Sequence, residues 1–337
     1  VQTIVVGGSG ILIVTQRRSL LAAAGRAGRA PLGLLIVALS LEALSLAAAA
    51  ELQRRLLSGT GVRARLGTLL ALVWASNAVG AALPVGAAAS TVYSYRQLTR
   101  RGAPPMVAGW LLAASGALSG VALALLVVIG AQLRGLLSAC TAEDIAELTA
   151  LIGVVSACVG VLAWVSARPA HLAVLERRVH RARAGLARLR GRTPKTPTLL
   201  PPIELPGREW AAVTVLAVVN WAADGAVLAV SVAAIGGHLR WSTLVFAYAL
   251  SQVAASMPLL PGSLGIAEGS LVVVLVCAGV RAPDALAATL VYRLASFWLQ
   301  LLPGWAAWAR LRHVRPFEDT RPGARTPGRA KVNIAPA

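Results

Sequence analysis

A chain of 337 residues that is 57% hydrophobic, only 13% charged and of mean hydropathy +0.71 is solvated mostly by lipid and does not describe a soluble enzyme. Its net charge of +19 is carried almost wholly by arginine, lysine occurring only at Lys195 and Lys331; the arginines sit in short loops beside apolar spans, where they orient helices and meet anionic headgroups, so nucleic acid is not an expected partner. The cysteines Cys140, Cys158 and Cys277 are scattered without CxxC spacing, and His171, His180, His238 and His313 supply no ligand set, so no disulfide framework, metal site or cofactor is expected.

The first apolar stretch, residues 4–14, is too short to span alone and reads as the end of a longer helix. Its Gly7-Gly8-Ser9-Gly10 lacks the lysine and hydroxyl residue of a P-loop, so helix packing or flexibility is the expected role. An arginine-bearing amphipathic piece (16–30) leads into a clear span at 31–50, with Pro31 suited to a first helical turn. After the basic loop with Arg54, Arg55, Arg63 and Arg65, the run 66–89 is interrupted by Pro84-Val85-Gly86, a broken helix. Spans at 107–133 and 148–165 are separated by Glu143, Asp144 and Glu147. Residues 171–192 set Leu172, Leu175, Val179, Leu186 and Leu189 on one face and arginines on the other, a helix expected to lie on the membrane surface. Five prolines in 193–207 mark a linker between a first membrane half, 1–192, and a second, 208–315; the polar tail 316–337 reads as disordered. The second half carries spans at 210–235, 241–260, 266–280 and 285–308.

A single offset carries Pro84 onto Pro261 and Gly102 onto Gly279. In each half a broken apolar segment is followed, at the same distance from its proline, by a glycine, a short loop containing proline, and a long helix bearing Ser119 or Ser296 at matching positions. Seven arginines (54, 55, 63, 65, 96, 100 and 101) flank the first broken segment and only Arg240 and Arg281 flank the second, so the positive-inside rule sets the two on opposite faces. The expected fold is therefore an all-α polytopic integral membrane protein with an inverted repeat and two broken or re-entrant helix elements. Arg17, Arg18, Arg26 and Arg29 oppose this topology, because one crossing by 31–50 leaves them outside.

Glu42, Asp224, Glu268 and Arg293 fall inside apolar spans, where a central charge costs about 2.5–3.5 kcal/mol and so pairs, faces a cavity or lines a pathway. Arg293, Ser296 and Gln300 share a face at i, i+3 and i+7, and a Glu268–Arg293 ion pair across the hairpin offsets the burial of both. The broken backbone beside it offers N–H groups to a phosphate; a static pair locking two helices is the other reading. Asn220 and Asp224, at i and i+4 beside Trp221, serve either substrate contact or interhelical hydrogen bonding, the latter worth about 0.6 kcal/mol on average. Glu42 shares its face with Ser45 and admits no single role. Tyr93 and Tyr95 read as interfacial anchors, Arg96 as an anchor or a headgroup contact, and Trp298, Trp305 and Trp308 as part of an aromatic belt.

The run Pro258-Leu-Leu-Pro261-Gly-Ser-Leu-Gly265-Ile-Ala-Glu268, followed by Gly279 and by Tyr292-Arg293, resembles the lysylphosphatidylglycerol synthase transmembrane region, the flippase-like domain of multiple peptide resistance factors. The first half agrees more loosely through Asn77, Leu83-Pro84-Val85-Gly86 and Tyr95-Arg96. It departs where Ser263 replaces a second glycine and where Ala87, Ala88 and Ala89 stand in place of an acidic residue. The resemblance implies a stand-alone translocase that moves a lipid with an anionic, aminoacyl or glycosylated headgroup between the leaflets of a bacterial plasma membrane. Anionic phospholipid is the expected partner, alongside a lipid-synthesising enzyme. Neither HExxH nor GxSxG occurs and the chain has no room for a soluble aminoacyl-transfer domain, so no enzymatic activity is expected. Its substrate would meet Pro261, Gly262, Gly265, Glu268, Tyr292, Arg293, Asn220, Asp224, Pro84, Gly86 and Arg96. No ATP motif is visible, so a gradient or consumption of product would supply the energy. The rival reading is a non-transporting scaffold that holds a lipid- or envelope-modifying enzyme through Arg177, Arg178 and the surface helix.

Overall fold

In lipid a backbone N–H finds no water, so long runs of Ala, Leu and Val close their hydrogen bonds within the segment and become helices. The computed structural model of the chain describes residue 25 and residues 28–83, 86–133, 205–255, 266–313 and 317–319. The elements are α1 (Leu32–Ser58), β1 (Val62–Arg63), α2 (Leu66–Ala82), α3 (Gly86–Arg100), α4 (Pro105–Leu133), α5 (Gly207–Ala234), α6 (Trp241–Ala255), α7 (Ile266–Cys277), α8 (Ala282–Leu311) and β2 (Glu318–Asp319). Among them α1, α4, α5 and α8 are long and apolar enough to cross a membrane. At 1.5 Å per residue each runs to about 40 Å, beyond the roughly 30 Å hydrocarbon core. The molecule is a multi-pass α-helical membrane protein. The surface helix expected at 171–192, the acidic loop near Glu143 and the span 148–165 lie outside the described residues.

Proline and glycine set the helix ends. Pro31 and Pro206 stand just before α1 and α5 with extended ψ of 128° and 158°, and Pro283 occupies the first turn of α8, where its missing N–H costs nothing. Gly102 (φ 95°) and Gly279 (φ 92°) stop α3 and α7 in the left-handed region that favours glycine. The two stops are built alike. Gly102 and Ala103 donate to the carbonyls of Thr99 and Leu98, each at 3.1 Å; Gly279 and Val280 donate to those of Val276 and Leu275, at 2.9 and 3.0 Å. The offset that carries Gly102 onto Gly279 also carries the first residues of α1–α4 onto those of α5–α8, to within three positions.

The first expected break is present. α2 ends at Ala82, Leu83 is extended (φ −114°, ψ 145°), and α3 resumes at Gly86, whose Cα packs so closely on the Gly80 carbonyl that a Cβ would strike it. Pro84 lies outside the described residues, as do Pro261, Gly262 and Gly265 in the interval between α6 and α7.

Polar contacts gather several helix ends at one end of the molecule. β1 pairs antiparallel with β2, Val62 opposite Asp319 and Arg63 opposite Glu318. The Phe317 N–H donates to the Arg101 carbonyl at 2.8 Å, and the buried Arg101 guanidinium donates to the Leu311 carbonyl at 3.1 Å as well as to Gln97. Arg55 binds Glu209 at 3.1 Å and Glu51 at 2.9 Å. Hence the end of α1, the start of α2, the end of α3, the start of α5 and the end of α8 lie together, and α2–α3 enters and leaves on the same side. Residues 317–319 carry this pairing; the rest of the tail expected from 316 onward lies outside the described residues.

Two packed cores flank the α1–α5 contact. One gathers Leu56, Leu57, Leu69, Leu98, Leu111 and Val213; the other gathers Val227, Leu228, Tyr248, Leu271, Leu275 and Ala288. Small residues allow the close approaches: a Cβ on Gly225 would meet the Tyr248 ring at 3.2 Å, and one on Gly304 would meet Ala78 and the Trp74 carbonyl at 2.8 and 2.9 Å. Leu32, Ile36, Trp241, Val273 and Leu302 face outward, as lipid contact requires.

Candidate functional site

Helix α8 sets the geometry. Its middle, Leu294–Trp298, is a π-turn, and Pro303 one turn later cannot donate to the Leu299 carbonyl. In a regular helix Tyr292 and Gln300 would stand about 80° apart at 100° per residue. The wider turn rotates the later residues back, and both address the α1–α5 side. The polar face expected for Arg293, Ser296 and Gln300 is thereby divided. Arg293 turns to Glu268, Gln300 crosses to Glu42, and Ser296 offers its carbonyl to Gln300 at 2.6 Å.

The ion pair foreseen across the second hairpin is formed: Arg293 Nε lies 2.7 Å from Glu268 Oε1, both side chains mostly shielded, and the guanidinium stacks 4.2 Å above the Phe297 ring. Beside it, on the inner face of α5, Asp224 accepts three hydrogen bonds. Tyr292 donates to Oδ1 at 3.0 Å; Tyr248 and Gln252 donate to Oδ2 at 2.7 and 3.0 Å. The remaining Gln252 N–H reaches the Tyr292 oxygen at 3.1 Å. Glu42 on α1 is 6% exposed and lies against Asp224; Gln300 donates to its Oε1 at 2.6 Å. One turn further along α1, Ser45 donates to Asn220 Oδ1 at 3.2 Å. About 15 Å along α1 from Leu32, this cluster lies deep within the helix bundle.

Asn220 also borders a cavity of about 260 Å³ between α1, α2, α3, α4 and α5. Its polar lining is Gln53, Ser76, Ser90, Thr91, Ser94, Ser115 and Ser119, with no charged side chain among the lining residues. Ser76, Ser90, Thr91 and Ser115 donate to carbonyls three or four residues back in their own helices, which leaves hydroxyl lone pairs to the cavity. Trp221 closes the α4 side by donating to the carbonyl and hydroxyl of Ser119 at 2.9 and 3.0 Å. A second hollow of about 400 Å³, lined by Val79, Leu83, Ala88, Ala89, Val92, Tyr93 and Arg96, is apolar apart from the last two.

The structure thus joins Glu268, Tyr292, Arg293, Asp224 and, through Ser45 and Glu42, Asn220 into one polar track. Arg96 sits apart at the second hollow, and Gly86 packs against Gly80. Tyr248, Gln252 and the cavity hydroxyls were not foreseen. Their available signal was spacing at i and i+4: Tyr248 with Gln252, Ser90 with Ser94, and Ser115 with Ser119.

A family model described as the lysylphosphatidylglycerol synthase TM region matches residues 3–304, an interval that holds the whole polar track. No curated protein matches the chain.

Proposed function

The chain belongs to the lysylphosphatidylglycerol synthase TM region family, and on that premise we propose that it moves a polar-headgroup lipid between membrane leaflets. The hydroxyl-lined cavity that opens onto the buried Asn220–Glu42–Asp224 track carries this reading. Such a pocket inside apolar helices replaces part of a headgroup's hydration, while the acyl chains stay among the outward Leu, Ile and Val side chains. Acceptor oxygens without a fixed charge favour a headgroup rich in donors, hydroxyl or ammonium, as in a glycosylated or aminoacylated lipid. Arg96, which lines the neighbouring hollow, supports a phosphate as part of that headgroup.

Alternating access is supported by the matched order of α1–α4 and α5–α8 and by the ends that meet. α5 and α8 run in opposite directions between the gathered end and the far one, so the start of α6 and the end of α7 fall at the far end, whereas α2–α3 opens at the gathered end. This supports an inverted repeat with two opposed hairpins. Arg54, Arg55, Arg63, Arg65, Arg100 and Arg310 lie at the gathered end, which is the cytoplasmic one by the positive-inside rule.

The test is redistribution of short-chain fluorescent phosphatidylglycerol, aminoacyl-lipid and glycolipid in liposomes holding the full chain, read by chemical reduction of the outer leaflet. Wild type is expected to equilibrate the two leaflets. Ser115→Leu, which fills the cavity, and Glu268→Gln, which releases Arg293, are expected to slow this at least tenfold while eluting as folded protein. Wild type indistinguishable from empty liposomes with every lipid overturns the proposal and leaves the scaffold reading.

A further inference from the structure

The hydrogen-bond inventory around Glu42 leaves one gap. Glu42 Oε2 is buried and has no hydrogen-bond partner, yet it faces the Asp224 carboxyl. Among the described residues, every nearby donor is already committed. The Tyr248 and Tyr292 hydroxyls and one Gln252 N–H go to Asp224, and the other Gln252 N–H goes to Tyr292. Both Gln300 N–H groups serve Glu42 Oε1 and the Ser296 carbonyl, while the Ser45 hydroxyl serves Asn220. The nearest cation, Arg293, is bound to Glu268. Two bare carboxylates side by side in a low-dielectric interior repel.

We propose that Glu42 and Asp224 form a proton-binding site at the α1–α5 contact, in which Glu42 Oε2 carries a proton donated to Asp224, and that its occupancy couples lipid movement to a proton gradient. The distribution of donors assigns the roles. Asp224 accepts three hydrogen bonds, as a carboxylate does; Glu42 accepts one and has a free oxygen for the proton. Loss of that proton places two like charges across the contact that joins the halves, and its return restores a hydrogen bond there. Among the described residues, the remaining titratable groups facing the pair are Tyr248 on α6, Tyr292 and Arg293 on α8 and, through Arg293, Glu268 on α7. The two tyrosine hydroxyls are donors to Asp224 and Arg293 pairs with Glu268, so the acid pair is where a proton is exchanged. The coupling rests on the lipid-translocase reading; the proton site does not.

The experiment uses the full chain in liposomes and Glu42→Gln, whose amide reproduces the shape of a protonated Glu42 and donates to Asp224. Infrared spectra of the wild type at neutral pH are expected to show a protonated-carboxyl carbonyl band. Alkaline buffer should abolish it, and it should be missing from Glu42→Gln, with both proteins eluting as folded species. Absence of the band from wild type, or its survival in Glu42→Gln, overturns the proton site whatever happens to lipid. A band that appears only when sodium is replaced by choline also overturns it, in favour of a metal cation. For the coupling, lipid redistribution is measured with and without an imposed pH gradient. The gradient is expected to shift the wild-type leaflet ratio at least threefold and to leave Glu42→Gln unmoved. Redistribution indifferent to the gradient in wild type overturns the coupling while translocation stands. No redistribution in any condition overturns translocation and the coupling with it, and the band alone then decides the proton site.

Discussion

At Arg293 the sequence supplied both partners of an ion pair and the structure brings them to 2.7 Å. Removing one partner leaves the other charge inside the bundle. Arg293→Met is therefore expected to lower stability by about 3–5 kcal/mol, as for other buried pairs that lose one member, and the double variant with Glu268→Leu to recover most of it. Thermal unfolding in detergent, completed as a double-mutant cycle, measures both. Tyr292→Phe removes one of the three donors to Asp224 and is expected to cost about 1–3 kcal/mol in the same assay, since the acceptor stays buried. Sequence spacing was enough to find Glu268 with Arg293 because charges in apolar runs are few. It could not find Tyr248 and Gln252: a tyrosine and a glutamine in an apolar helix acquire meaning only when Asp224 is seen opposite them. The inward role of Arg101 was hidden for the converse reason. Among so many loop arginines nothing distinguishes the one that folds inward to hold the Leu311 carbonyl.

The break between α2 and α3 and the two glycine stops were legible at the level of elements because proline and left-handed glycine act locally, without help from tertiary contacts. The phase of α8 was not, since a face drawn at 3.6 residues per turn fails on crossing the π-turn. Deleting Ala295 to restore a regular helix leaves Gln300 seven residues after Tyr292, about 20° apart at 100° per residue, so the two are expected to go on addressing the α1–α5 side together. Engineered cysteines replacing Glu42 and Gln300 should then cross-link in the parent chain and in the deletion alike. Close helix approach makes a second prediction. Gly304→Ala inserts a methyl group within 2.9 Å of the Trp74 carbonyl and is expected to lower stability by about 1–3 kcal/mol, read as a fall in unfolding temperature in detergent.

Over the whole molecule, the ends that meet make opposed hairpins a matter of labelling. Single cysteines at Arg63 and Arg281 are expected to react with an impermeant maleimide from opposite sides of oriented vesicles, with Arg310→Cys following Arg63→Cys. Reaction from one side by all three would remove the inverted topology. The shared spacing of Pro84, Gly102, Pro261 and Gly279 was readable, but no pattern of residues announces how segments so distant along the chain bring Glu42 beside Asp224. That contact arises from α1 packing along α5, with small residues and shape, rather than any motif, selecting the partner.

The pairing of Val62–Arg63 with Glu318–Asp319 also orders events in time. The first hairpin is synthesised early, but the strand that closes its mouth leaves the ribosome only after α8, as does the Leu311 carbonyl that Arg101 grips at the very end of that helix. During translation the early half therefore waits in the bilayer with its Leu311 contact unmade and its base unlaced. Contacts so distant in sequence form late and slowly. A nascent chain stopped before Phe317 carries α1–α8 and still lacks its final lock, so the fold closes only once the last of these helices has been followed out by the strand that ties it to the first hairpin.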